Sequence, residues 1–275
     1  MYVMAGNKEN DNTADYLQLL LLGAIAGFTI FLGLPVVMLG AKERMKNGLN
    51  AFATGILIFL IVDVLAHAWD STTGAAVSAF GGSGSVATAV VDLLAMFGGL
   101  TLGLMSLVVY GGRYLGRGAK HDSLPGEKLA MMIALGIGAH NLSEGLAIGQ
   151  SYASGAIGLA VVLVVGFGAH NATEGFGITG PLAGMNPRPK LSFLVKVLLI
   201  GGIPTFVGTV VGSLFYSPVA YILFLSLAGG ALIYVTMTLF MAGRMRSSNE
   251  LMMAGVFLGV CAGFLTDLIV SLGGA

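Results

Sequence analysis

Residues 128–182 have the sequence KLAMMIALGIGAHNLSEGLAIGQSYASGAIGLAVVLVVGFGAHNATEGFGITGPL. This stretch contains two apolar runs, about 128–152 and 156–182, which only a few residues separate. Each run is long enough to cross about 30 Å of hydrocarbon as a helix, which takes roughly 20 residues. The connection is too short for anything but an antiparallel neighbour, so we expect a helical hairpin inside a lipid bilayer.

The rest of the chain has the same apolar character. Of its 275 residues, 56% are hydrophobic and 9% are charged, and the mean hydropathy is +0.91. Soluble domains carry roughly 25% charged residues, so the composition excludes a water-soluble fold. The formal net charge is zero, which provides no field for collecting nucleic acid. The single cysteine, Cys261, cannot form an internal disulfide or a cysteine metal site.

Eight apolar stretches are long enough to span a membrane. Their approximate bounds are 16–40, 50–69, 86–111, 128–152, 156–182, 191–215, 219–242 and 250–272. None of the connections between them is long enough to hold a soluble domain. The sequence therefore predicts an all-α integral membrane protein, a bundle of eight transmembrane helices. It forms a single domain over residues 16–275, preceded by a short polar tail over residues 1–15.

Basic residues cluster in every second connection. All except Lys8 follow the first, third, fifth or seventh span: Lys42, Arg44, Lys46, Arg113, Arg117, Lys120, Lys128, Arg188, Lys190, Lys196, Arg244 and Arg246. Loops rich in Lys and Arg stay in the cytoplasm. We therefore expect a multi-pass protein of the plasma membrane with both termini outside.

Ionisable side chains inside the spans are few, and each costs about 2.5–3.5 kcal/mol on insertion scales. The strongest pattern among them is a repeat, because GAHNLSEG at 138–145 recurs as GAHNATEG at 168–175. In each copy a His and a Glu four residues apart share one helical face: His140 with Glu144, and His170 with Glu174. Since the copies lie near the middle of antiparallel neighbours, we expect the four side chains to meet at mid-membrane.

These four side chains have the chemistry of a metal site. No Lys or Arg lies in the middle of a span to neutralise the two glutamates, whereas one divalent cation would cancel their charge. Imidazole and carboxylate ligands suit Zn²⁺, Fe²⁺, Mn²⁺, Co²⁺ or Cd²⁺ better than Mg²⁺, Ca²⁺ or Cu⁺. The simpler alternative is that each His–Glu pair is hydrogen-bonded and only fixes helix register, but the duplication favours a metal site.

The two motifs resemble those of the ZIP (Zrt/Irt-like protein) family of divalent metal transporters. In that family the fourth and fifth spans carry His-Asn-x-Pro-Glu-Gly and His-x-x-Pro-Glu motifs whose His and Glu bind the transported metal. The matching residues here are His140, Asn141, Glu144, Gly145, His170 and Glu174. The resemblance implies a transporter and not an enzyme, with zinc as the first expected substrate, net flow into the cytoplasm, and spans four and five moving with the ion.

Two departures from the family pattern concern the helix breaks and a second ion. The proline before each Glu is replaced by Ser143 and Thr173. A helix break at these positions would therefore come from flanking glycines or from hydroxyls bonded to the previous turn; otherwise the helices have no break there. In many relatives a second metal position uses an Asp after the fifth-span His and a Glu-Pro in the sixth span. Here the first is Asn171, and residues 202–206 contain no acid. We therefore expect one tightly bound ion, with Asn141 and Asn171 as auxiliary ligands or supports of the ligands.

Further acidic residues suggest an access route to this site. Asp63, His67 and Asp70 form a stripe on the outer half of span two, and Asp92 and Asp267 fall toward the outer ends of their spans. We expect them to line a vestibule that attracts cations. In the alternative interpretation Asp63 pairs locally with His67, Asp70 is a loop residue, and Asp92 and Asp267 cap helix ends.

Together these features predict alternating-access transport of a divalent transition metal, as substrate rather than cofactor. The expected partners are the ion and the lipid bilayer, without nucleic acid, and the sequence leaves open whether the chain forms a homodimer. The 43 glycines allow close helix contacts that can slide. The rival function is an intramembrane zinc-dependent hydrolase, in which the same ligands would activate water.

Overall fold

A computed structural model describes residues 3–38, 43–114, 126–153, 155–215, 217–245 and 247–272. These residues are almost entirely helical, and none of them forms a strand. The helices are α1 (Val3–Phe28), α2 (Leu34–Met38), α3 (Glu43–Phe80), α4 (Val86–Tyr114), α5 (Gly126–Ala153), α6 (Ile157–Thr179), α7 (Leu191–Leu214), α8 (Pro218–Arg244) and α9 (Asn249–Leu272). Two 3₁₀ segments, Thr29–Gly33 and Gly180–Leu182, follow α1 and α6.

Eight helical segments in the described part of the chain are long and apolar enough to cross a membrane. Six of them, from Val86–Val109 to Asn249–Leu268, begin and end within a few residues of the predicted bounds. The predicted all-α bundle of eight spans is therefore confirmed. The backbone of the predicted polar tail is helical from Val3 onward, and the apolar part of α1 begins at Tyr16.

The second span is longer than predicted. The prediction ended it near residue 69, but α3 continues to Phe80, and its apolar segment from Asn47 to Phe80 has a length of about 50 Å at 1.5 Å per residue. Residues 70–80 contain no proline, and the helix ends just before Gly82, whose φ of 78° favours glycine. Asp70 consequently lies on the helix rather than in a loop.

The first span is interrupted where a continuous helix was expected. Pro35 lacks an N–H group, and its ring would clash with the carbonyl of Phe31 in a regular α-helix. The chain adopts 3₁₀ geometry over Thr29–Gly33 before α2 begins. This segment packs against α6, where the backbones of Gly33 and Gly175 lie so close that a side chain on Gly33 would overlap Gly175. The Thr179 hydroxyl also donates a hydrogen bond to the Gly33 carbonyl (2.9 Å).

The helices pack most extensively in two sets. In the first set α7 lies against α5 and α1, and α6 lies against the 3₁₀ segment that follows α1. In the second set α8 packs on α4 and α3, and α9 packs on α3. The sets meet where α5 contacts α8 and where α6 contacts α3 and α9. The repeated motifs on α5 and α6 lie at this boundary.

Candidate metal centre

Helix α5 presents His140 and Glu144 one turn apart toward the protein interior. Both side chains are buried, and Nε2 of His140 lies 3.3 Å from Oε1 of Glu144. The helix is continuous through Ser143, the position at which the family motif has a proline. The Ser143 side chain is buried, and its hydroxyl has no hydrogen-bond partner among the described residues.

Helix α6 repeats this arrangement with His170 and Glu174. Nε2 of His170 lies 3.7 Å from Oε1 of Glu174, and both side chains are buried. The Thr173 hydroxyl donates a hydrogen bond to the His170 carbonyl (2.7 Å), and α6 remains helical through the motif. Both helices therefore run unbroken through positions 143 and 173. The sequence left open whether glycines or hydroxyls would break these helices in place of the family prolines, and the structure shows no break.

The two pairs converge at the contact between α5 and α6. Nε2 of His140 lies 3.9 Å from Oε1 of Glu174, and the two imidazole rings have centroids 5.7 Å apart. The His170 ring also lies next to Phe59 of α3, at a centroid distance of 5.9 Å and an interplanar angle of 52°. The expected meeting of two imidazoles and two carboxylates is thus present, and Glu174 contacts both rings.

The two asparagines hold this arrangement in place. The Asn141 amide donates to Oε2 of Glu174 (2.8 Å) and to the Gly201 carbonyl on α7 (3.0 Å). The Asn171 amide donates to the Ala26 carbonyl on α1 (2.8 Å) and to the Thr205 hydroxyl on α7 (3.4 Å). Each Asn also has a buried carbonyl oxygen without a hydrogen-bond partner among the described residues, which can act as a neutral ligand.

Several buried polar atoms of this cluster have no hydrogen-bond partner in the described part of the chain: Nδ1 and Nε2 of His140, Nε2 of His170, Oε2 of Glu144 and Oε1 of Glu174. Leaving such a group unsatisfied costs about 1–3 kcal/mol, so buried polar groups are usually paired. Imidazole nitrogens and carboxylate oxygens gathered in this way can bind a divalent transition metal. The arrangement therefore fits the predicted chemistry.

Asp63 on α3 joins the same cluster. One ligand atom each of Asp63, His140 and His170 lie within 4.8 Å of one another. The Asp63 side chain is 15% exposed, and Nδ1 of His67 lies 3.4 Å from its Oδ1 and donates to its backbone carbonyl (2.9 Å). Asp63 was predicted to lie on the access route, and its proximity to the two histidines was not predicted. No local sequence pattern indicates this proximity, because it depends on how α3 packs against α6.

A cavity of about 210 Å³ leads to the cluster. Of the residues predicted for the access route, Asp63, His67 and Asp267 line it, together with Glu144 and both motif histidines. Asp70 and Asp92 are not among the lining residues: Asp70 is exposed on α3, whereas Asp92 is buried on α4. The cavity is also lined by Tyr221 and Ser271, which no sequence pattern singled out.

The fold is that of a multi-pass membrane protein, and its buried cluster of His and Glu side chains is compatible with binding of a divalent cation. A family model described as ZIP zinc transporter matches residues 117–270, which is more than half of the chain. The chain therefore belongs to the ZIP zinc transporter family, and its class is that of divalent metal transporters. No curated protein sequence matches the chain significantly.

Proposed function

We propose that the chain carries Zn²⁺ or a related transition metal ion across the plasma membrane into the cytoplasm, through a site formed by His140, Glu144, His170 and Glu174. The observation that carries the proposal is the convergence of these four buried side chains, with nitrogen to oxygen distances of 3.3–3.9 Å between the two helices and within each of them. Such donors also accept Fe²⁺, Mn²⁺, Co²⁺ and Cd²⁺.

The position of the cavity supports flow from outside to inside. If the basic connections are cytoplasmic, as the positive-inside rule requires, both termini are outside and the direction of each span follows. Residues of the cavity wall then lie on the outer side of the site on five helices: His67, Ala147, Leu163, Tyr221 and Ser271. The cavity thus connects the cluster to the outer side, where Asp267 adds negative charge to attract a cation.

The packing of the helices supports alternating access. The ligands belong to α5 and α6, which pack with α7 and with the first span, whereas α3, α4, α8 and α9 pack among themselves. A displacement of the first set relative to the second would carry the ion from the outer cavity toward the cytoplasm. This is the kind of movement by which transporters expose one site to each side in turn.

The test is uptake of Zn²⁺ by proteoliposomes that contain the purified protein, with Co²⁺, Mn²⁺ and Cd²⁺ as competitors. We expect saturable uptake by the wild type and almost none by His170→Ala, while Asp70→Asn, which alters an exposed residue outside the cavity wall, retains it. Uptake by His170→Ala at the wild-type rate would overturn the proposed site. A protein that cleaves lipid or peptide but moves no ion would instead fit the hydrolase alternative.

A further inference from the structure

We propose that Asp63 is itself a ligand of the transported ion, so that the ion in the outward-facing site is held by α3 as well as by α5 and α6. This inference rests on the proposed function and extends it to a residue outside the duplicated motif. Asp63 would then bind the ion at the site, in addition to the predicted role of attracting cations along the access route.

Asp63 lies close to both motif histidines. Asp63, His140 and His170 each bring one ligand atom within 4.8 Å of the others, close enough for all three to bind one ion. The buried Nε2 atoms of both imidazoles have no hydrogen-bond partner among the described residues. All three side chains line the same cavity, so the ion that reaches the histidines also meets the Asp63 carboxylate.

Asp63 is also held in position by neighbouring residues of α3. His67 lies one turn beyond it and contacts the carboxylate at 3.4 Å. Phe59, one turn before it, packs against the His170 ring, so the face of α3 that carries Asp63 also contacts α6 at the site. A ligand supported on both sides by its own helix loses little freedom on binding, as an effective metal ligand must.

A mechanical consequence follows from the helix on which Asp63 lies. Since α3 packs more extensively on α8 and α9 than on α6, it belongs to the second set, and an ion bound to Asp63, α5 and α6 bridges the two sets of helices. The ion must leave Asp63 before α5 and α6 can move with it. Asp63 therefore raises the affinity of the outward-facing site and delays the step that follows, and Asp63→Asn should raise KM for uptake without lowering the maximal rate.

A direct test uses Asp63→Cys and Co²⁺, because a thiolate bound to Co²⁺ gives an intense charge-transfer absorption in the near ultraviolet. Asp267→Cys is the matched control, since Asp267 lines the same cavity but lies outside the group of close ligand atoms. The wild type, whose single cysteine is Cys261 on α9, controls for the native thiol. We expect the absorption in Asp63→Cys at one Co²⁺ per chain, and its absence from both controls.

A second variant covers the case in which Asp63→Cys does not fold. Removing even a residue that only supports a metal ligand weakens binding roughly 10–100-fold, so we expect Asp63→Asn to weaken Co²⁺ binding at least about tenfold. Wild-type affinity in Asp63→Asn, or Co²⁺ binding by Asp63→Cys without the thiolate absorption, would overturn the inference while leaving the proposed function intact. A wild type that neither binds Co²⁺ nor takes up metal would overturn the proposed function, and this inference with it.

Discussion

The two copies of the eight-residue motif differ only at Leu142 and Ser143 against Ala172 and Thr173, yet their surroundings are different. Glu144 lines the outer cavity and contacts His140, whereas Glu174 is completely buried, contacts both imidazoles and accepts a hydrogen bond from Asn141. The α5 copy contributes His140, Ser143 and Glu144 to the cavity wall, whereas the α6 copy contributes only His170. Nearly identical local sequences can thus take different roles because different helices pack around them.

The largest difference that we expect between the copies concerns the two glutamates. Glu174→Ala should reduce Zn²⁺ uptake to the level of empty liposomes, because the ion loses the carboxylate that contacts both histidines. Glu144→Ala should retain measurable uptake with a raised KM. A single symmetric peak in size-exclusion chromatography would show that both variants are folded. Equal loss of uptake in the two variants would mean that the copies contribute equally.

Acidification tests whether a histidine from each copy binds the same ion. Metal ligands must be unprotonated, and the reference pKa of histidine is about 6.5, so Co²⁺ affinity should fall as the pH decreases through this region. If two imidazoles must each lose a proton, Co²⁺ affinity falls by at most about a hundredfold for each pH unit of acidification. If only one must do so, the limit is about tenfold. Titrations of the wild type and of His170→Ala between about pH 5 and 8 should show the steeper dependence only in the wild type. Affinity independent of pH would contradict histidine ligation.

Substitution of the two asparagines should distinguish a side chain that orients a metal ligand from one that stabilises the fold. Asn141→Ala removes the hydrogen bond that orients Glu174, and we expect Co²⁺ affinity to fall about tenfold. Asn171→Ala removes bonds to α1 and α7, and we expect a loss of about 1–3 kcal/mol in stability with a smaller change in affinity. Metal titration and the midpoint of thermal unfolding in detergent measure the two effects. The reverse pattern would show that Asn171 is the stronger contributor to ion binding.

The smallest expected difference concerns the residues in place of the family prolines. Thr173→Ala removes a hydrogen bond to the His170 carbonyl and should destabilise the protein by about 1 kcal/mol. Ser143→Ala removes a buried hydroxyl without a partner among the described residues, so its effect on stability should be near zero or favourable. Both variants should retain Zn²⁺ uptake. Loss of uptake in Ser143→Ala would indicate that the hydroxyl contacts the ion.

The bundle could be predicted from the sequence because each span must present roughly 20 apolar residues to lipid, and this requirement is local. The interruption of the first span was missed because its bounds were drawn from the length of the apolar stretch, which does not reveal the local effect of Pro35 on the helix. The end of α3 was missed because its bound was also drawn from the apolar stretch. Residues 70–80 are less apolar than a typical span, and the helix nevertheless continues through them.

The convergence of His140, Glu144, His170 and Glu174 could be predicted because a four-residue spacing and a short hairpin determine their positions. Asp63 could not be placed in the same way, since no local pattern states how α3 packs against α6. Its position also changes the charge balance on which the expectation of one ion was based. With three carboxylates, one divalent ion leaves a net charge of −1 and two leave +1, so charge alone favours neither. The single ion stays a prediction, to be checked by equilibrium binding of Co²⁺.

The contact between Gly33 and Gly175 has a consequence for how the protein tolerates change in sequence. Gly175 follows Glu174 directly, and any side chain at position 33 would overlap its backbone and displace the turn that carries the carboxylate. Position 33 should therefore be as intolerant of substitution as a ligand position in a saturation library selected for metal uptake. Mutational sensitivity would extend along the first span to a residue that never meets the ion.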